Sequence, residues 1–107
     1  MGISKTEHFT EEQNDVAKLM KALSHPARIA IVEYLLSVDT CICNDIVDEI
    51  KLAQPTVSQH LKELKNAGII QGEIDGKAIC YCINPDTLKK MEHFISEIFR
   101  KIEKQKS

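Results

Sequence analysis

The stretch NDIVDEIKLAQPTVSQHLKELKNAGII, residues 44–70, decides the fold. From about Asn44 to Lys51 it sets Ile46, Val47 and Ile50 on one side of a short helix. Leu52-Ala53-Gln54 forms a tight link to Pro55, a residue suited to a first helical turn. A further helix then runs from about Pro55 to Asn66, with Val57, Leu61 and Leu64 turned inward. Ala67-Gly68 ends it, because glycine reaches the left-handed conformation of a helix cap without steric cost.

Working outward, Ile69 to Ile74 and Ala78 to Ile83 are short β-branched runs separated by Asp75-Gly76-Lys77, a hairpin signal. After Asn84-Pro85, Leu88, Met91, Ile95, Ile98, Phe99 and Ile102 share one stripe of a last helix, with a lysine-rich tail expected to fray. Upstream, Thr10 followed by Gln13 reads as a capping box opening a first helix, whose stripe is Val16, Leu19, Met20 and Leu23. Ser24-His25-Pro26 breaks that helix, with His25 in a structural role at the start of the next. The second helix carries Ile29, Ala30, Val32, Tyr34, Leu35 and Leu36, apolar almost all round, and is expected to be the buried centre. Residues 1–10 form a polar arm expected to be flexible, and residues 11–103 one domain. The class is mainly α (α+β), in the order α-α-α-α-β-β-α. Two short helices joined by a tight turn and followed by a hairpin make a winged helix-turn-helix.

In that arrangement the second helix of the pair enters the major groove with its N-terminal residues on base edges. The candidate DNA-binding residues are therefore Gln54, Thr56, Ser58, Gln59 and His60, with Lys62 and Lys65 along the phosphates and Lys77 at the hairpin tip. A helical hairpin with a solvated polar face is the competing reading. Short neutral donors at the helix start, rather than Glu and Lys, favour DNA. The formal charge of −2 is not that of a basic nucleic-acid binder. Affinity is expected to be moderate, drawing on helix dipoles and neutral donors as well as lysines.

Lys21-Ala22-Leu23-Ser24-His25-Pro26-Ala27-Arg28-Ile29 resembles the opening motif of ArsR/SmtB-family repressors. Gln54 to Leu64 resembles their recognition helix, Ala67 to Ile70 the step into the wing, and Asp75 to Tyr81 the wing itself. The resemblance covers roughly residues 11–85. It implies a homodimer, built by the first and last helices, that binds a palindromic double-stranded operator and leaves it when an inducer binds. The candidate dimer residues are Val16, Leu19, Leu88, Met91, Ile95, Ile98 and Phe99.

Thr40-Cys41-Ile42-Cys43-Asn44-Asp45-Ile46 lies where thiol-sensing relatives carry a Cys-x-Cys pair entering the third helix. Two thiolates there benefit from the helix dipole and suit As(III), Sb(III), Cd, Pb or Zn. Arsenite-type relatives continue with a third cysteine three positions on, where this chain has Ile46. His8 of the partner's arm is one candidate third ligand, an exogenous thiol another, and oxidant or reactive-sulfur sensing by the pair alone a third reading. A constitutive DNA-binding dimer without inducer also stays open. Cys80 and Cys82 alternate on a strand, which puts both on the side opposite Ile79, Tyr81 and Ile83. That side is expected to be exposed, and the two thiols incidental. His93 and Glu97 stand one helical turn apart, but Asp86-Thr87-Leu88 lacks the histidine of a relative's zinc site, so none is expected.

The chain of 107 residues, 43% hydrophobic and 28% charged, suits one globular domain. It contains no Gly-rich phosphate loop and no nucleophile–base spacing, so a reactive-cysteine enzyme is the weaker class and no cofactor is required. No apolar run approaches the ~18 residues of a membrane span, and Met1 to Thr10 lacks the apolar core of a secretion signal. A cytoplasmic location follows as the expectation, where four cysteines read as metal-binding, redox or inert rather than structural disulfides.

Overall fold

The computed structural model describes residues 8–38, 49–75 and 78–106, with side chains described for all of these except 73–75 and 78–79. Helix α1, Glu11–Ala22, opens with the expected capping box. The Thr10 amide donates to Gln13 Oε1 at 2.9 Å, and the Gln13 amide donates to Thr10 Oγ1 at 3.0 Å. These two bonds occupy amides that the first turn otherwise leaves unpaired. Helix α2, Pro26–Leu36, begins on His25, whose Nδ1 accepts from the Ala27 amide at 3.0 Å. The structural role expected of His25 is thus a helix cap.

Glu49 and Ile50 are helical, and the rest of the expected third helix lies outside the described residues. Lys51 then takes a φ of +62°, a left-handed conformation that costs a non-glycine residue energy and turns the chain sharply. Helix α3, Gln54–Asn66, starts from Ala53 and carries Pro55 in its first turn. Its end is a Schellman closure. The Ile69 amide donates to the Leu64 carbonyl at 3.0 Å, and the Gly68 amide to the Lys65 carbonyl at 2.9 Å. Gly68 sits at φ +81°, and a Cβ there would meet Thr87 Oγ1 at 3.3 Å, so this turn has two reasons for glycine.

Strands β1, Ile70–Asp75, and β2, Ala78–Ile83, pair antiparallel from Ile70↔Ile83 to Asp75↔Ala78. Gly76 and Lys77 at the tip lie outside the described residues. Helix α4 spans Pro85–Lys106.

Leu19 and Ala22 of α1, Ile31 and Leu35 of α2, Val57, Leu61 and Leu64 of α3, and Ile69 and Ile70 at the hairpin entrance form the core. Leu88 and Met91 of α4 pack against it. The second helix departs from expectation. Ile31 and Leu35 are buried, whereas Ile29 is 41% and Leu36 62% exposed. An apolar composition all round permits burial on every side, and among the described residues the contacts of α2 run mainly to α3 and β2.

Candidate nucleic-acid interface

Helix α3 divides cleanly by phase. Val57, His60, Leu61 and Leu64 are buried, while Gln54, Thr56, Ser58, Gln59, Lys62 and Lys65 are exposed. The apolar side clamps the helix to the core, so its polar side faces away from the protein. Gln59 Nε2 donates to Glu63 Oε1 at 3.3 Å, a long exposed bond that leaves the amide easily redirected. Ala53 supplies no side-chain cap to the helix start. The end of the helix that carries the positive dipole is thereby left open to an anion. Lys77 lies outside the described residues, so six of the eight DNA candidates share this one exposed face.

His60 does not. It is 7% exposed, which corrects its expected place among the base readers. At about 100° per residue, His60 lies only about 60° around the helix from Val57, inside the apolar stripe. The Nε of Arg28 donates to His60 Nδ1 at 3.1 Å, and Arg28 Nη1 also donates to the Ala22 carbonyl at 3.3 Å. The His25 ring stands 4.5 Å from that of His60, tilted by 48°. This cluster joins the end of α1 and the start of α2 to the inner face of α3. Arg28 therefore orients the helix, a role its sequence context gave no sign of: the partner stands 32 residues away.

Burial lowers the pKa of His60 below the ordinary 6.5, and the neighbouring His25 and Arg28 lower it further. The ring accepts a bond at Nδ1, so the neutral form carries its proton on Nε2. The unfolded chain takes up this proton at higher pH than the folded one. Stability from His60 is thus complete above about 6.5 and declines as pH falls from there through the lowered folded value. Urea unfolding midpoints measured between pH 7.5 and 5.5 are expected to fall in the wild type more steeply than in His60→Gln; parallel slopes would refute the assignment.

The inducer candidates Cys41 and Cys43 lie outside the described residues, and His8 is exposed at the start of the described chain. Cys80 and Cys82 contradict the expectation of two exposed thiols. Cys80 is 8% exposed and Cys82 half-buried, and each is disulfide-bonded. Tyr81 and Ile83 do face the core, as expected of that side, so β2 is covered on both faces where strand alternation alone suggested one. Among the described residues no cysteine is free, and no three His, Cys, Asp or Glu side chains gather as a metal site.

The candidate dimer residues fall into two groups. Val16 and Leu19 are buried within their own chain, at 4% and 3% exposed, and Leu88 and Met91 are partly buried against its core. Leu19 therefore offers no surface to a partner. Ile95 and Ile98 are each 39% exposed and Phe99 62%, leaving an apolar strip along the outer half of α4.

Comparison with known proteins agrees with this geometry. The family model described as bacterial regulatory protein, arsR family, matches residues 25–71. The chain is 45% identical over 64 residues to the HTH-type transcriptional repressor SmtB of Mycobacterium tuberculosis, a match spanning 60% of this chain and only about half, 47%, of that relative. It is 35% identical over 89 residues to an HTH-type transcriptional regulator of Methanocaldococcus jannaschii, covering 82% of this chain and 99% of the other. A cadmium resistance transcriptional regulatory protein, a CadC homolog of Staphylococcus aureus, is 38% identical over 79 residues, 72% of this chain and 64% of its own. The solution structure of a homodimeric winged helix-turn-helix domain from Mycobacterium bovis superposes with a TM-score of 0.67 at 19% identity, covering 99% of this chain and 94% of that one. The fold is a winged helix-turn-helix. With matches of this extent on both the sequence and the fold, the chain belongs to the arsR family of DNA-binding transcriptional regulators.

Proposed function

We propose that the protein is a cytoplasmic homodimeric repressor that binds double-stranded operator DNA through α3 and leaves it when an inducer binds cysteine thiols. The observation that carries this reading is the exposed row Gln54, Thr56, Ser58 and Gln59 on a helix pinned from behind by Val57, Leu61 and Leu64. Neutral donors of this kind read base edges and phosphates in the major groove. The strip of Ile95, Ile98 and Phe99 supports pairing of two chains, which would present two recognition helices about one DNA turn apart. Phe99→Glu is expected to shift the protein toward monomer in sedimentation and to weaken operator binding with it.

The inducer is As(III), Sb(III) or a soft divalent metal such as Cd, Pb or Zn, bound first by Cys41 and Cys43. Two soft donors one residue apart support this, as does the name of the cadmium resistance relative. Inducer and DNA oppose each other because the inducer binds the low-affinity conformer better, with coupling of about 1–3 kcal/mol typical of such linkage. Fluorescence anisotropy on a labelled duplex from the DNA upstream of its own gene tests the reading. Addition of Cd(II), Zn(II) or As(III) is expected to release the wild type, and Cys41→Ser or Cys43→Ser to bind DNA normally but stay bound. Variants that still release would refute the site, and a wild type that ignores the whole panel would make the protein a constitutive binder.

A further inference from the structure

The second half of α1, the first turn of α2 and the last turn of α3 border a surface notch of about 190 Å³, lined by Lys18, Lys21, Arg28, Glu63 and Asn66. Lys18, Lys21 and Asn66 are exposed, and among the described residues neither lysine has an ion-pair partner. Arg28 is held differently. Its Nε donates to His60 Nδ1 and its Nη1 to the Ala22 carbonyl, which together hold the guanidinium in place. Nη2 donates to no group among the described residues, and no side-chain nitrogen there is buried without a partner, so Nη2 reaches solvent. A fixed arginine with N–H donors to spare suits the oxygens of a phosphate. Glu63 opposes an anion, and so do the C-terminal ends of α1 and α3, at about half a negative charge each. Three cations outweigh them. Those ends are also closed: the Ala22 carbonyl takes Arg28, and the Leu64 and Lys65 carbonyls take the Ile69 and Gly68 amides.

We propose that this notch holds a backbone phosphate of the operator, beyond the bases read at the start of α3, with Arg28 as the fixed donor and Lys18 and Lys21 as flexible charges. The proposal rests on the reading of α3 as the DNA-binding helix and extends the contact to α1 and α2. Position supports it. Gln59, Glu63 and Asn66 follow one another at four- and three-residue steps along one side of α3, so the notch opens on the side that carries Gln59. At 1.5 Å per residue, Asn66 stands about 10 Å farther along the axis than Gln59. A major groove is about 12 Å wide, so a helix that reads bases near its start meets a sugar–phosphate strand at about that distance. Charge supports it as well. The chain carries a formal −2, so attraction to phosphate has to come from a local cluster of cations. An arginine already held by two internal bonds loses less side-chain freedom on docking than an unrestrained one. The group that pins α3 through His60 would then also touch the DNA, so one side chain sets the helix against the phosphate. A free phosphate or nucleotide shares this chemistry, and the place of the notch beside Gln59 favours the DNA backbone.

The test compares the full-length protein with Lys18→Gln/Lys21→Gln, two exposed positions whose change leaves the bond from Arg28 to His60 in place. Anisotropy titrations on the operator and on an unrelated duplex, between about 50 and 200 mM salt, are expected to show a salt slope smaller by about two in the variant. Over that range the wild type then loses roughly tenfold more affinity than the variant. The change should be alike on both duplexes, because phosphate contacts carry no sequence. Phosphate ethylation interference locates the contact: a phosphate outside the base-read steps of each half-site is expected to block the wild type and not the variant. The wild-type pattern needs no variant, and the absence of any such blocked phosphate overturns the proposal. An unchanged salt slope, or the same interference in both proteins, overturns it too. So does a saturable stabilisation of the wild type by inorganic phosphate, at constant ionic strength, that the variant loses while its DNA binding stays normal; the notch would then serve a free anion. If the variant matches the wild type while Gln59→Ala weakens operator binding, the phosphate site fails and the reading of α3 stands. If the wild type binds neither duplex, both fail.

Discussion

Replacing Leu64 by alanine is expected to lower the free energy of unfolding by about 2–5 kcal/mol, the range for deleting a buried leucine side chain. Leu64 is 0% exposed and lies in the core with Leu19, Ile31, Leu35 and Val57, where three helices meet. The lost methyl groups forfeit transfer free energy, and a cavity opens under α3 because its neighbours relax only partly. The Leu64 carbonyl also receives the Ile69 amide in the turn into β1, so loosening here reaches the wing. Leu64→Met, which roughly conserves volume, is expected to cost less than about 1.5 kcal/mol. Urea unfolding followed by circular dichroism checks both. A loss below about 1 kcal/mol for Leu64→Ala would mean that α3 is not clamped as described.

Gln59→Ala is expected to weaken specific operator binding by about 1–3 kcal/mol while leaving stability nearly unchanged. The side chain is exposed, and its one bond in the free protein, to Glu63, is long and solvated. That contact contributes little to the fold and is easily given up to a base edge. Lys62→Ala makes the comparison informative. Lys62 is exposed on the same helix, and loss of a phosphate contact should reduce binding to every duplex alike and lower the salt slope by about one. Anisotropy titrations on the operator and on an unrelated duplex, at several salt concentrations, separate the two behaviours. Equal losses for Gln59→Ala on both duplexes would remove Gln59 from base reading.

The two centres of the molecule differ in how readily their residues disclose them. At α3, Pro55, the stripe of Val57, Leu61 and Leu64, and Gly68 announce start, inner face and end within a few residues. His60 was misplaced because a polar residue on the apolar edge of a stripe has no local signal for burial. Only its bond to Arg28 and the nearby His25 ring make burial tolerable. The cysteines of β2 were misplaced for a related reason. Strand alternation assigns residues to two faces but does not say whether the second face is covered.

The sequence by itself determined the winged helix-turn-helix order, the capping box at Thr10, the cap role of His25 and the glycine at the end of α3. Each depends on backbone conformation and hydrogen bonds between near neighbours, which residue type controls directly. Only the packing of distant segments decided that Arg28 and His60 anchor α3 from behind, that Ile31 and Leu35 are buried while Ile29 and Leu36 are exposed, and that Cys80 is enclosed. Those outcomes depend on which surfaces meet across the fold, and burial belongs to the pair of surfaces rather than to either residue.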